Sequence, residues 1–460
     1  MPTSLLWFRR DLRLSDHPAL LAAVDAAGAD GDVVPVFVVD PRLWTPAGAP
    51  RRQFLLDCLT DLRESLDGAL VVRSGDPAVV VPELARELRA GGVHVSADAG
   101  PYGRRRDDAV EQALGDVPLI RTGSPYAVTP GRVTKPDGSA FRVFSPFARA
   151  WRAHGWRAPA PSPGPVPWRR GVASEVLPPP QEVTARLPPA GEAAALEAWE
   201  RFRDERLLGY GERRELPGTD GTSRLSAYLK YGCLHPRTLL ADLASAHASD
   251  QGADDEAVRR FTDELAWREF YADVVWHRPE SVREPLDPRT GAIEYDSGPK
   301  TDAAFTAWAQ GRTGYPIVDA GMRQLLGEAY VHNRVRMIVA SFLVKDLHVD
   351  WRRGARHFLQ HLVDGDLASN NHGWQWVAGT GTDASPYYRV FNPTRQGQQF
   401  DPAGDYVRRW VPELRDVPTR FVHEPWLAPG GVPAGYPEPI VDHAHERRVA
   451  LARYERVRST

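Results

Sequence analysis

Apolar and polar positions follow two different rhythms along the chain. From residue 4 to about 122, the short apolar runs SLLWF, DVVPVFVVD, ALVVR, GVHVSA and VPLIRT alternate with amphipathic stretches. Brief apolar runs separated by helical periods predict a five-stranded parallel sheet with crossover helices. Residues 123 to about 192 lose this rhythm. TPGRVTKPDGS, APAPSPGPVP and LPPPQEVTARLPP supply prolines and glycines that helices and central strands do not accept, so the stretch reads as a crossing linker. From about 193, apolar residues recur three and four apart in EAAALEAWERFRDERLLGYGERR, SRLSAYLKYG, VRRFTDELAWREFYADVVW, DAAFTAWAQG and VHNRVRMIVASFLVKDLHVDW. That period predicts a helical assembly. The expected organisation is an α/β domain over 1–125, a Pro/Gly-rich linker over 126–192 and an all-α domain over 193–460.

Composition narrows the class. A chain of 460 residues exceeds what one core usually organises, which agrees with two domains. No apolar run approaches the roughly 18 residues that cross a bilayer, so no membrane association is expected. The opening MPTSLLWFRRDLRLSDH carries its charges after a short apolar run rather than before it, unlike a secretory signal, and a cytoplasmic location is expected. Cys58 and Cys233 stand far apart without CxxC or metal-finger spacing and are read as two small core residues without thiol chemistry. A net charge of −3 leaves a nucleic-acid partner open, because binding depends on a local basic face. The α/β half is Rossmann-like, but RRDLRLSDH follows its first strand where a GxGxxG turn would stand, so the main cofactor is not expected there.

Several stretches could carry chemistry. His357 and His361 lie four apart, yet no HExxH and no third ligand accompany them, so no metal site is expected. Ser223 has no spaced His and Asp for a hydrolase triad. GTSRLSAY, residues 221–228, opens a helix with hydroxyls and an arginine, which suits either plain N-capping or an anion. ELAWREFY places Glu264 and Trp267 one helical turn apart. HNRVRM groups Asn333, Arg336 and Met337 at helical spacing, with Arg334 directed elsewhere. DGDLASNNHGWQW, residues 364–376, concentrates two carboxylates, three amides, a histidine and two indoles, and Arg336 could pair with one of those carboxylates.

Taken together and in order, LLWFRRDLRLSDHPAL, GTSRLSAYLKYG, ELAWREFY, GYPIVDAGMRQL, HNRVRMIVASFLVKDL, DWRRG, DGDLASNNHGWQW and GTDASPYYRVFNPTRQG resemble the DNA photolyase and cryptochrome family over nearly the full chain. The likeness is greatest to microbial class I photolyases that repair cyclobutane pyrimidine dimers. It implies that the helical half binds FAD, and that light drives an electron from reduced flavin to a lesion flipped out of UV-damaged DNA.

The resemblance also assigns roles. Tyr210, Thr222, Ser223, Arg224, Leu225, Ser226, Arg268, Asn333, Arg336, Asp364, Asp366 and Asn370 are implied to bind the cofactor, with Asn370 facing flavin N5. Glu264, Trp267, Asn333, Met337 and Trp376 are implied to contact the lesion, and Arg214, Arg334 and Arg389 to grip DNA phosphates. Gln399 stands where some relatives carry another basic residue, with Arg395 close by. Trp374 and Trp351 match the inner and middle members of an electron relay. Its outer member falls in IEYDSGPK, where Tyr295 is the nearest aromatic and Trp308 offers another exit. Folate-binding relatives carry an Asn-Glu pair where this chain has Tyr102 and Gly103, so the resemblance favours an 8-hydroxy-deazaflavin antenna over folate. A monomer without an obligate protein partner is expected. A signalling cryptochrome is disfavoured by Asn370, and (6-4) repair by the absence of histidine at Asn333 and Met337.

Overall fold

The computed structural model describes residues 2–249, 255–382 and 388–458, and its contacts group into two compact units. The first comprises residues 1–183, 188–208 and 223–279; the second comprises 184–187, 209–222 and 280–460. Residues 383–387 of the GTDASPYYRVFNPTRQG motif lie outside the described residues.

In the first unit, strands β1 (Thr3–Phe8), β2 (Asp32–Val39), β3 (Val71–Ser74), β4 (Ala90–Val95) and β5 (Leu119–Arg121) form a parallel sheet in the order β3-β2-β1-β4-β5. Each expected apolar run became a strand. Trp7 pairs with Val36 on one side of β1, and Leu5 with Val93 on the other. The side chains of Leu5, Trp7, Val36, Val93 and Val110 close one core layer. Pro35 breaks the rule against proline in a central strand without losing a ladder bond. Val33 N–H points to Pro167 O at 3.0 Å, residue 35 faces the same side, and β3 begins pairing only at Val36.

The Pro/Gly stretch is less plain than its composition suggests. Phe144–His154 forms a helix, and it is fastened to the helix Asp255–His277 by the buried Glu269. That carboxylate accepts from Trp151 Nε1 at 2.6 Å and Val128 N at 3.0 Å. Glu192, at the start of the helix Glu192–Glu205, accepts from the backbone N–H of Leu14 at 2.7 Å and of Ser15 at 2.9 Å. These bonds explain why helical segments beyond residue 192 group with the sheet.

The second unit is helical, with no strand among its described residues. Pro299, Pro316 and Pro393 each open a helix at a first-turn position, where a missing N–H costs nothing. Over 331–351 apolar residues recur three and four apart without marking where a helix stops. The chain forms Asn333–Ser341, continues as a π-helical turn over Phe342–Asp346, and leaves helical geometry before Trp351–His361. Val335, Val339, Phe342, Phe358, Leu362 and Trp374 lie in the core of this unit.

Candidate functional site

The dense polar segment 364–376 resolves into two sets of side chains with different partners. Asp366 caps the helix Leu367–Ala378 by accepting from Ser369 N at 3.1 Å, and left-handed Gly379 ends it. One set ties this helix to residues 281–286. Asn371 Nδ2 donates to Val282 O at 2.6 Å, Gln375 Nε2 to Ser281 O at 2.5 Å, and His372 Nε2 meets Ser281 Oγ at 3.1 Å. The other set is Asp364, Asp366 and Asn370. Spacing alone treated the two adjacent amides alike; the structure separates them.

Asp364 is buried and accepts from Arg336 Nη2 at 2.8 Å, while Arg336 Nε donates to Val331 O at 2.7 Å. Burial disfavours the guanidinium charge, but Asp364 more than offsets it, and the arginine pKa rises. Asn370 donates from Nδ2 to Ala355 O at 3.1 Å and to Asn371 Oδ1 at 2.8 Å. With both N–H groups engaged, the amide offers its carbonyl oxygen as the available acceptor.

Trp374 is buried against the helix Trp351–His361, one turn from fully buried Trp351. Gly354 makes that approach possible: a Cβ there would lie 2.2 Å from Trp374 Cη2. Trp374 meets Phe358 edge-on with ring centroids 5.1 Å apart and Trp308 at 6.1 Å. Half-buried Tyr295 sits beside the entry to the Trp351 helix, since its neighbour Asp296 N donates to His348 O at 2.9 Å. Burial, then the nearby Asp350 charge, pushes its phenol up. Trp376 lines a cavity of about 110 Å³ with Lys345, Tyr388 and Tyr454, and the exposed Arg389 guanidinium lies 5.5 Å over its ring.

Two other expected phosphate contacts share a carboxylate that sequence reasoning missed. Arg334 Nε donates to Glu215 Oε2 at 2.6 Å, and Arg214 Nε stands 3.4 Å from Glu215 Oε1. Buried Tyr210 lies under the Arg214 guanidinium at 5.4 Å. Asn333 is exposed at its helix start, and Met337 is half-buried against the core. Thr222 is half-buried just after Gly221, whose added Cβ would meet Arg213 O at 2.6 Å. Arg395 is exposed near the start of the helix Pro393–Phe400.

The first unit carries the remaining members. Trp267 and Glu264 lie one turn apart on the helix Asp255–His277, and Trp267 stacks on Phe144 with centroids 3.7 Å apart and planes 6° from parallel. Phe144 was invisible as a site residue because it lies in the stretch read as linker. Arg268 donates to Pro125 O and Leu229 O, both at 3.0 Å. Around Ser223, Arg224 adopts φ 52°, a left-handed conformation uncommon outside glycine, before Leu225 leads into the helix Ser226–Tyr231. Near the carboxyl edge of the sheet, the Tyr102 hydroxyl donates to Asp40, and a Cβ on Gly103 would lie 2.1 Å from Asp98 Oδ2. Burial, then that bond to Asp40, pushes the Tyr102 phenol up to about 12.

Two family descriptions match the chain: DNA photolyase over residues 4–166, and FAD binding domain of DNA photolyase over 261–456. The deoxyribodipyrimidine photo-lyase of Halobacterium salinarum is 43% identical, covering 99% of this chain and 99% of that protein. The Escherichia coli protein of the same name is 40% identical over 100% of this chain and 99% of its own. A crystal structure of a bacterial class III photolyase from Agrobacterium tumefaciens superposes with a TM-score of 0.91 at 37% identity, covering 100% of this chain and 98% of that one.

Proposed function

This chain belongs to the DNA photolyase family, and from that premise we propose that it is a deoxyribodipyrimidine photo-lyase, splitting cyclobutane pyrimidine dimers in UV-damaged DNA with light and FAD. FAD, when bound, supplies the light-driven electron. The side chains present suit such a group. Asp364, fixed by Arg336, is an anchored acceptor for ribityl or ring N–H groups, and Asp366 and Tyr210 lie in the same unit.

Asn370 carries the reading. An amide whose N–H groups are already donated presents a neutral acceptor, which suits the N5–H of a reduced flavin and places no fixed charge beside it. Ser223, Arg224, Leu225 and Ser226, with Thr222, are proposed for the pyrophosphate; the left-handed backbone of Arg224, uncommon outside glycine, supports a built turn here rather than a plain helix cap. Arg268 and Asn333 are proposed as further cofactor contacts.

For the lesion, Glu264 is proposed to hydrogen-bond the flipped bases. Trp267, braced on one face by Phe144, offers its other face as a rigid stacking wall, and Trp376, Asn333 and Met337 are proposed as lesion contacts. Arg214, Arg334 and Arg389 are proposed to hold flanking phosphates. Trp374 and Trp351 are proposed as inner and middle relay members, supported by the packing of Trp374 against Gly354, one turn along the helix from Trp351, with Tyr295 as the outer one.

The antenna is proposed to be an 8-hydroxy-deazaflavin rather than folate. Supporting this, Tyr102 is committed to Asp40, and the space beside Gly103 is taken by Asp98. Placement with the class I enzymes rests on the sequence motifs, whereas the Agrobacterium structure is that of a class III photolyase. No described helix is long and apolar enough to cross a membrane; action as a cytoplasmic monomer is part of the proposal. The test is repair by photoreduced protein on cyclobutane dimers and on (6-4) photoproducts, in light and in darkness. Light-dependent loss of cyclobutane dimers is expected. Turnover of only the (6-4) lesion, or of neither, overturns the reading.

A further inference from the structure

The chain contains two cysteines, and the fold brings their sulfurs to 3.5 Å although they are 175 residues apart. Cys58 lies on the helix Ala49–Ser65, on the face that buries Phe54, Leu59 and Leu62. Cys233 follows the left-handed cap Gly232 that ends the helix Ser226–Tyr231. Both belong to the first unit and are almost completely buried.

The surroundings hold both sulfurs in place. Cys233 N donates to Tyr228 O at 3.0 Å, and Arg13 Nη1 donates to Gly232 O at 3.1 Å. A Cβ on Gly232 would collide with Arg10 O at 2.0 Å, so the turn is packed closely against the 10–13 segment. Opposite it, Phe54 meets Tyr231 at 5.1 Å between centroids, and the Tyr231 hydroxyl donates to Arg51 O at 2.9 Å.

We propose that Cys58 and Cys233 form a reversible intramolecular disulfide under mild oxidation, a covalent lock between the helix Ala49–Ser65 and the turn that closes the GTSRLSAYLKYG segment. A disulfide needs sulfurs about 2.05 Å apart, so the two sulfurs, already in contact at 3.5 Å, must close by roughly 1.5 Å. The chemistry balances with a low-molecular-weight disulfide as oxidant. One cysteine, as thiolate, attacks an external sulfur and releases one small thiol; the second then attacks the mixed disulfide and releases the other. Two protein thiols lose two hydrogens, and the oxidant becomes two thiols.

Burial, then the hydrogen bond the Cys58 S–H shares with Cys233, raises the Cys58 thiol well above its ordinary range. Cys58 therefore rests as a thiol in a reducing compartment, and the lock closes only when exposure to oxidant is sustained. Its effect is to oppose unfolding, because the bond closes a long loop in the unfolded chain.

The full chain is incubated with oxidised glutathione at mildly alkaline pH and analysed by intact mass and non-reducing peptide mapping. The expected result is a monomer lighter by two hydrogens, one peptide pair joining the segments of Cys58 and Cys233, and reversal by dithiothreitol. Thermal unfolding of the oxidised form should move up by on the order of 5 °C. Cys58→Ser and, independently, Cys233→Ala should show no such shift. Two thiols still titratable after oxidation, glutathione adducts without the internal link, or disulfide dimers each overturn the proposal. The mass of the unsubstituted protein decides this even if a variant fails to fold.

Discussion

Arg334 Nε donates to Glu215 Oε2 at 2.6 Å, so one of the cations proposed to meet DNA already holds a carboxylate of its own unit. Arg214 flanks the same glutamate. Glu215 therefore lowers the field that these two arginines present to phosphate. The pair is partly exposed and worth less than about 1 kcal/mol to the fold, so Glu215→Gln should leave stability nearly unchanged. Affinity for a UV-irradiated duplex should rise a few-fold at low salt, with a steeper dependence of log K on log salt by roughly one phosphate equivalent. Fluorescence anisotropy over a salt series measures both. An unchanged slope would remove Arg214 and Arg334 from the phosphate contacts.

The Arg336–Asp364 pair is a stronger case because its carboxylate side chain is only 3% exposed. Asp364→Ala leaves a guanidinium that burial already disfavours, and should cost about 3 kcal/mol in urea unfolding. The same variant should be purified with much less flavin absorbance. Full flavin retention alongside the stability loss would confine Asp364 to a structural role.

Much of the fold was legible, and the reasons for the gaps are physical. Apolar runs such as GVHVSA become strands because both faces of a parallel sheet are buried, which leaves an unambiguous signal. The π-helical turn at Phe342–Asp346 was not legible, since an extra residue in one turn barely disturbs the apolar period on either side. Arg336–Asp364 could be anticipated because a costly buried charge needs a partner. Glu215 could not, because it lies 119 residues from Arg334 and beside an ordinary RR pair. Gly354 did leave a signal: a glycine within the helical stretch DWRRGARHF marks a close approach, though not which side chain approaches.

His372 gives a pH dependence of known sign. It is fully buried, meets Ser281 Oγ, and burial lowers its pKa from 6.5 to about 4. Between those values the unfolded chain binds more protons than the folded one, so stability rises with pH across the window. The contribution is complete above about 6.5 and is lost as pH falls toward 4, about 3 kcal/mol in all. His372→Gln should flatten this part of the profile in denaturant unfolding measured from pH 4 to 8. Parallel curves for the two proteins would show that the imidazole is not the responsible group.

Gly354→Ala tests the seat of Trp374 directly. An added Cβ would stand 2.2 Å from Trp374 Cη2 and 2.6 Å from Leu343 Cδ2, and both side chains are buried, so neither can simply swing into solvent. Alanine favours the helix by up to about 1 kcal/mol relative to glycine. Overpacking costs about 1–3 kcal/mol, so the net effect should be destabilising. The displaced indole should alter the near-ultraviolet circular dichroism. If Trp374 passes electrons inward, light-driven reduction of the oxidised flavin should slow several-fold, while repair by chemically pre-reduced protein continues at its former rate. Serine, only slightly larger than alanine, should do the same, whereas the exposed change Arg356→Ala on the same helix should not. A variant that shifts the indole signal yet photoreduces at the original rate would place the electron route elsewhere than Trp374.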